Sequence, residues 1–281
     1  MAAYPYVVCD VFTDRALAGN QLAVFTRAAD IPEERLQPLA REINFSETVF
    51  AYPSSADADF RIRIFTPKAE LPFAGHPVLG SAFVLAGADQ DDIRLRTIRG
   101  IVPVHFERGA GPLRFGWMRQ PIPTFAPFPD PGALLRALDV ERSSLPVEVY
   151  DNGVRHAFVG LGNEQAVARL RPAMTALDRV LGDVGANCFA GAGARWKTRF
   201  FGPGLGVAED PATGSAAGPL AVHLARHHRI AFDTVIQISQ GVELGRPSTL
   251  YARVAGTPDR IDTVEVGGFA VVVARGEFSL P

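Results

Sequence analysis

The chain has 281 residues, 47% of them hydrophobic, with a formal net charge of -2. That length suits one large domain or two of about 140 residues each, and a near-neutral balance without a long run of one sign argues against nucleic acid or another polyanion as partner. Two cysteines, Cys9 and Cys188, make neither a disulfide framework nor a CxxC pair, which points to a reducing, cytoplasmic setting. No signal-peptide pattern opens the chain, and its longest apolar runs are too short to span a membrane.

Strand-like segments come first: "YVVCDVF", "QLAVF" and "ETVFAYP", with "IPEERLQPLAREIN" between them as an amphipathic helix. "DFRIRIFTP" alternates Phe60, Ile62 and Ile64 with Arg61 and Arg63, the period of a half-buried strand. After "LPFAGHP", the stretch "VLGSAFVLAG" is apolar all round and predicts a buried helix. "DDIRLRTIRGIVPVHFER" and "PLRFGWMRQ" return to strands. The proline-rich "QPIPTFAPFPDPGALL" predicts a linker, placing one domain at 1–120 and a second at 121–281, with the last strand free to return to the first domain.

The second half repeats the plan. "EVYDNGVRHAFVGL" predicts a strand, "EQAVARLRPAMTAL" a helix, "WKTRFFGP" a strand, and "EDPATGSAAGPLAVHLARHH" a loop running into an apolar helix. "TVIQISQG", "STLYARVAG" and "TVEVGGFAVVVARGEFSL" close the chain as strands. "RIFTP" at 63–67 and "RFFGP" at 199–203 share Arg-x-Phe-x-Pro, 136 residues apart. Each is followed by a glycine step, Gly75-His76-Pro77 or Gly214-Ser215, and then a buried helix. This order predicts a duplicated α/β (α+β) fold in which each half offers a helix N-terminus to a ligand cleft between them.

A helix N-terminus carries unpaired N–H groups and partial positive charge, so it holds anions. Gly214 permits close backbone approach, and Ser215 either caps the helix or binds a ligand. His76 stands at the mouth of the first helix, where Pro77 needs no N–H; a neutral imidazole there donates to or accepts from a substrate. Ser46 and Glu47 lie between an amphipathic helix and an apolar strand. Partial burial there would raise the glutamate pKa toward the range useful for acid–base work, whereas a solvated loop glutamate is the plainer alternative. His223 and His227 have the spacing of a zinc pair, but no third ligand has suitable spacing, so the histidines, with His228, are read as a helix C-terminus complementing its dipole. The glycine-rich "FAGAGARW" and "FGPGLGVA" match no nucleotide loop, and there is no GxSxG elbow.

Together "AGNQLAVF", "NFSETVF", "RIFTPKAELPFAGHPVLG", "DNGVRHAFVGL", "NCFAGAGARWKTRFF", "EDPATGSAAGPLAVHLARH" and "QGVELGRPS" resemble the PhzF family of phenazine-biosynthesis isomerases, from about residue 4 to the end. The resemblance implies a diaminopimelate-epimerase-like fold of two similar pseudo-symmetric domains, each a curved sheet around a central helix. It implies a homodimer, no cofactor, no metal, and trans-2,3-dihydro-3-hydroxyanthranilate as the small-molecule substrate. Carried over by position, Glu47 matches the acid–base glutamate that takes a proton from ring carbon C3 and returns it at C1. His76 and Asp210 match its polar partners. Ser46, Gly75, Gly214 and Ser215 match substrate-binding groups. An acid in an anion pocket is out of place, and the expectation drawn from that, apart from the resemblance, is that Asp210 faces the substrate's amino group. Racemases of this fold place a cysteine at each glycine step; Cys9 and Cys188 lie outside both. The alternatives are an isomerase or epimerase of another small acid, which fold alone does not exclude, and a non-catalytic metabolite-binding member.

Overall fold

The computed structural model describes residues 2–54, 57–108 and 114–280. The chain forms two compact units, Met1–Arg119 with Gly267–Pro281, and Gln120–Val266.

The first unit runs β1 (Ala2–Val11), β2 (Asn20–Phe25), α1 (Glu33–Ile43), β3 (Glu47–Pro53), β4 (Phe60–Phe65), β5 (Glu70–Leu71), α2 (Gly75–Leu85), β6 (Asp92–Thr97), β7 (Gly100–Arg108) and β8 (Arg114–Gln120). β8 is the described part of the strand expected from 112; residues 112–113 lie outside the described set. β1 and β2 are antiparallel, and α1 carries the chain across to β3, parallel to β2. β4 returns antiparallel to β3, and β6 lies parallel to β4. α2 packs against β1, β2, β3, β6 and β7. A sheet that meets one helix along so many strands has to curl around it. Close approach is built in: a Cβ on Gly80 of α2 would lie 2.6 Å from Val11 and 2.7 Å from Leu22. A second core under α1 gathers Phe25, Leu36, Leu39, Phe50 and Phe65.

The second unit runs β9 (Thr124–Pro127), α3 (Pro131–Leu138), β10 (Glu148–Asp151), β11 (Arg155–Gly160), α4 (Glu164–Arg169), α5 (Met174–Leu181), β12 (Val184–Ala192), β13 (Arg195–Gly202), β14 (Val207–Asp210), α6 (Gly214–Arg226), β15 (Ile236–Gln240), β16 (Ser248–Thr257) and β17 (Arg260–Gly268). β18 (Ala270–Leu280) follows and pairs antiparallel with β1. The pairing sequence of the first unit recurs: β10 and β11 antiparallel, β11 and β12 parallel across the α4–α5 crossover, β12 and β13 antiparallel, β13 and β15 parallel.

Five expectations need correction. The proline-rich stretch is not a bare linker: β9 pairs with β10, and α3 starts at Pro131 with Asp130 accepting from the Ala133 N–H at 2.8 Å. Pro at the first helical position and Asp at the cap are helix-start signals. The single helix expected over 164–177 is two, because Pro172 has no N–H and clashes with a preceding turn; it falls between α4 and α5. "EVYDNGVRHAFVGL" is a hairpin turning at Asn152–Val154, and "TVEVGGFAVVVARGEFSL" is two strands broken at Phe269. The helix of the first glycine step starts at Gly75, so His76 stands inside its first turn.

The two Arg-x-Phe-x-Pro copies do the same structural work. Arg63 on β4 makes a bidentate fork to Glu70, Nε–Oε1 and Nη2–Oε2 both 2.7 Å. Arg199 on β13 makes the same fork to Glu209 at 2.7 and 2.8 Å. Each guanidinium lies over the phenylalanine two residues on, 5.2 Å from Phe65 and 4.9 Å from Phe201. Each also holds its unit's crossover: Arg63 bonds Glu33 at the start of α1 at 2.6 Å, and Arg199 donates to the Ala168 and Leu170 carbonyls at the end of α4 at 3.2 and 2.8 Å. Glu70 and Glu209 both stand five residues before the glycine that opens a central helix. The fork therefore pins the segment that delivers each glycine step.

Candidate active site

In the first unit, Glu47 opens β3, where the parallel pairing with β2 sets it opposite Leu22. His76 sits in the first turn of α2 and is 3% exposed. The two meet, His76 Nε2 lying 3.3 Å from Glu47 Oε2. The Glu47 side chain is 13% exposed. The other ring nitrogen, Nδ1, lies 3.1 Å from the side-chain amide of Asn20, itself buried at the start of β2. Burial pushes the His76 pKa down to about 3, against a smaller upward pull from a backbone hydrogen bond with Gln21; desolvation disfavours the charged imidazolium. The imidazole is neutral, and it stands beside Glu47 as an uncharged neighbour and not as a fixed cation. Ser46 is half-buried in the loop ahead of β3, and Gly75 is buried.

In the second unit, Asp210 ends β14 and is 6% exposed. Thr213 Oγ1 donates to Asp210 Oδ2 at 2.6 Å. Gln240, at the end of β15, donates to the Asp210 carbonyl at 2.8 Å and to Thr213 Oγ1 at 2.9 Å. Gly214 and Ser215 form the buried first turn of α6. That turn is braced from outside: Gln120 Nε2 donates to the Gly214 carbonyl at 2.8 Å, and Asn152 Nδ2 to the Ser215 carbonyl at 2.9 Å. The second bond replaces a missing one. Pro219 lies inside α6 and has no N–H for the carbonyl four residues before it, that of Ser215.

Neither glycine helix has a side-chain cap. The cap position of α2 is Ala74, and that of α6 is Thr213, whose hydroxyl is engaged with Asp210. Ser215, offered by the sequence as a cap, stands past the cap position Thr213, inside the first turn. By contrast α3 and α4 are capped by Asp130 and Asn163. Capping would occupy first-turn N–H groups, and at these two buried helix starts no side chain does so.

Asn20, Thr213 and Gln240 were missed by sequence reasoning. Asn20 stands within "AGNQLAVF", but no local pattern ties it to a histidine 56 residues on. Thr213 reads as an ordinary cap, and only the β15 position brings Gln240 to it.

A third group does join the zinc-spaced histidines. Glu148 of β10 brings a carboxylate oxygen to 3.2 Å from His223 Nδ1 and 2.9 Å from His227 Nε2. It comes from another strand, which helix spacing cannot reveal. Arg226 Nη1 lies 2.9 Å from the same oxygen, and the Tyr150 hydroxyl donates to it at 3.0 Å. A guanidinium already supplies the positive charge there, so the cluster anchors the α6 C-terminus to β10. Burial works to raise the Glu148 pKa, but bonds from His223, His227 and Tyr150, with the Arg226 charge, hold it well below the carboxylate range.

Cys9 and Cys188 are fully buried on β1 and β12. Desolvation pushes both thiols up, Cys188 to about 12. A thiol acts as a proton carrier through its thiolate, which these sites oppose.

The fold defines a class: the diaminopimelate-epimerase-like proteins. A probable proline racemase from Agrobacterium radiobacter superposes on the chain with TM-score 0.66 at 11% identity, covering 99% of this chain and 93% of its own. A PhzF-family phenazine biosynthesis protein from Bacillus anthracis superposes with TM-score 0.86 at 24% identity, covering 100% of both chains. The family model described as "Phenazine biosynthesis-like protein" matches residues 9–276. The trans-2,3-dihydro-3-hydroxyanthranilate isomerase of Pseudomonas aeruginosa is 50% identical over 272 residues, covering 96% of this chain and 98% of that protein. The chain belongs to the PhzC-PhzF, phenazine biosynthesis-like family. Among the described residues no helix is long and apolar enough to cross a membrane.

Proposed function

We propose that the chain is an isomerase of trans-2,3-dihydro-3-hydroxyanthranilate that uses Glu47 as its single proton carrier. Glu47 takes the proton from ring carbon C3, the two ring double bonds shift, and the same carboxyl returns the proton at C1. Atoms and charge balance without an oxidant, a reductant or a second base. The enol left at C3 then tautomerises to the aminoketone, the precursor of phenazine-1-carboxylate.

The observation that carries this reading is the Glu47–His76 pair, 3.3 Å apart and mostly buried, at the start of an uncapped helix. A neutral His76 holds the carboxyl in place and shares its proton without becoming a competing cation. Gly75, Gly214 and Ser215 bind the substrate carboxylate through backbone N–H groups and the Ser215 hydroxyl, assisted by Ser46. Asp210 takes the substrate's amino group. The substrate assignment follows the 50% identity to a named isomerase along nearly the whole of both chains. The protein acts as a homodimer in the cytoplasm and requires no cofactor for this step.

The test is substrate turnover in D2O followed by NMR. Rapid loss of substrate, abolished in Glu47→Gln, is the expected result. Deuterium at C1 means that the carried proton exchanges with solvent; hydrogen retained at C1 means that Glu47 shields it. No turnover by the parent protein overturns the substrate assignment. Near-native turnover by Glu47→Gln overturns the role of Glu47.

A further inference from the structure

We propose that Thr213 is a positioning residue for Asp210, and that Gln240 fixes the direction in which the Thr213 hydroxyl points. The inference rests on the reading that Asp210 meets the substrate's amino group.

The Gln240 amide can be oriented from its neighbours alone. Its Oε1 lies 3.2 Å from the Thr213 backbone nitrogen, which can only donate. Its Nε2 lies 2.8 Å from the Asp210 carbonyl oxygen, which can only accept. Turning the amide over would set donor against donor and acceptor against acceptor, so the assignment is fixed. Nε2 also lies 2.9 Å from Thr213 Oγ1 and therefore donates to it. The Thr213 hydroxyl has one proton, and with Gln240 donating to the oxygen that proton goes to Asp210 Oδ2, 2.6 Å away. Thr198 Oγ1, at 3.2 Å from Gln240 Oε1, holds the far side of the amide. All four side chains are at most 7% exposed, so water does not compete for these bonds.

Thr213 gives up something for this. It holds the cap position of α6, where a threonine oxygen normally accepts from a first-turn N–H, yet its side chain caps nothing. One hydroxyl thus does two things. It fixes the rotation of the Asp210 carboxylate, and by turning away it leaves the α6 start to the substrate carboxylate. The two contacts of an amino acid substrate, amine and carboxylate, are set by one side chain three residues from Asp210.

The experiment compares binding of two aromatic probes, 3-hydroxyanthranilate and 3-hydroxybenzoate, which differ in the amino group. The proteins are the full-length parent, Asp210→Asn, Thr213→Val, Thr213→Ser and the double variant Asp210→Asn/Thr213→Val. Thr213→Val should weaken the amine-bearing probe by about ten- to a hundredfold, the range expected for losing a hydrogen bond to a charged group, while the amine-free probe changes far less. Thr213→Ser keeps the hydroxyl and should restore the parent's preference. Within the Asp210→Asn background, Thr213→Val should add little further loss of preference. Equal loss for both probes, absence of rescue by serine, or full additivity overturns the proposal. An Asp210→Asn variant that keeps the parent's preference overturns the reading of Asp210 instead. Should Thr213→Val fail to fold, Thr213→Ala and Gln240→Leu read the same preference ratio, which loss of general stability does not move.

Discussion

Glu47 and His76 stand on different elements, and their meeting is a product of β-strand pairing and of one helix start. Replacing Glu47 by Gln keeps the shape but removes the proton acceptor; turnover should fall about 100- to 10,000-fold, as for loss of a general base, with probe binding nearly unchanged by calorimetry. Asn20→Ala frees the far edge of the imidazole. It should lower turnover by about fivefold to tenfold, the worth of one buried hydrogen bond. It should also add almost nothing on top of His76→Ala, since both act through the same ring; additive losses in steady-state rates would separate Asn20 from His76. At this scale the residue types were legible. A glutamate beside an apolar strand and a histidine at a glycine step both have plainer structural uses, and it was the long resemblance that singled them out. Asn20, Thr213 and Gln240 were not legible, because each acts through a partner that is remote in sequence or is itself disguised as a cap.

At the scale of elements, prolines made the difference between expectation and structure. Pro172 divides a helix that apolar spacing alone would carry through, while Pro219 is tolerated inside α6. The reason for the second is Asn152, whose amide serves the Ser215 carbonyl that Pro219 deprives of an N–H. Asn152→Ala should therefore cost about 1–3 kcal/mol, the penalty of leaving a buried carbonyl unpaired. Restoring the missing N–H with Pro219→Ala should recover much of that loss. Urea unfolding of the two single variants and the double variant measures the coupling; a double variant as unstable as the sum of the singles would show that Asn152 serves another purpose. The duplicated plan was legible because the Arg-x-Phe-x-Pro copies keep one physical job, the fork to Glu70 or Glu209. The hairpin at Asn152–Val154 did carry a signal, since Asp151-Asn152-Gly153 is a turn sequence, but the apolar residues on both sides were read through it as one strand.

At the scale of the whole molecule, the two units share a design in which a neutral histidine is buried in each. His76 and His156 both have pKa values pushed down to about 3, burial being the leading cause. His156 is fully buried, its ring edge-on to Phe200 at 5.5 Å, and neither ring nitrogen finds a hydrogen-bond partner among the described residues. In the unfolded chain both titrate near 6.5, so between that pH and 3 the unfolded state binds protons that the folded state refuses. Stability is then full above about pH 6.5 and is lost progressively as pH falls toward 3. Between pH 7 and pH 5 each histidine should withdraw up to about 2 kcal/mol, at 1.36 kcal/mol per pKa unit. Urea midpoints at pH 7, 6 and 5 measure this for the parent and for His156→Phe, which places an uncharged ring against Phe200. The variant should lose its share of the pH dependence while keeping turnover, since His156 belongs to the second unit's core and not to the proposed chemistry. An unchanged slope would mean that His156 gains a proton in the folded state, and that burial around it is looser than the packing against Phe200 implies. A flatter slope with intact turnover would assign that share of the fold's acid lability to His156. The slope that remains would then carry the share of His76.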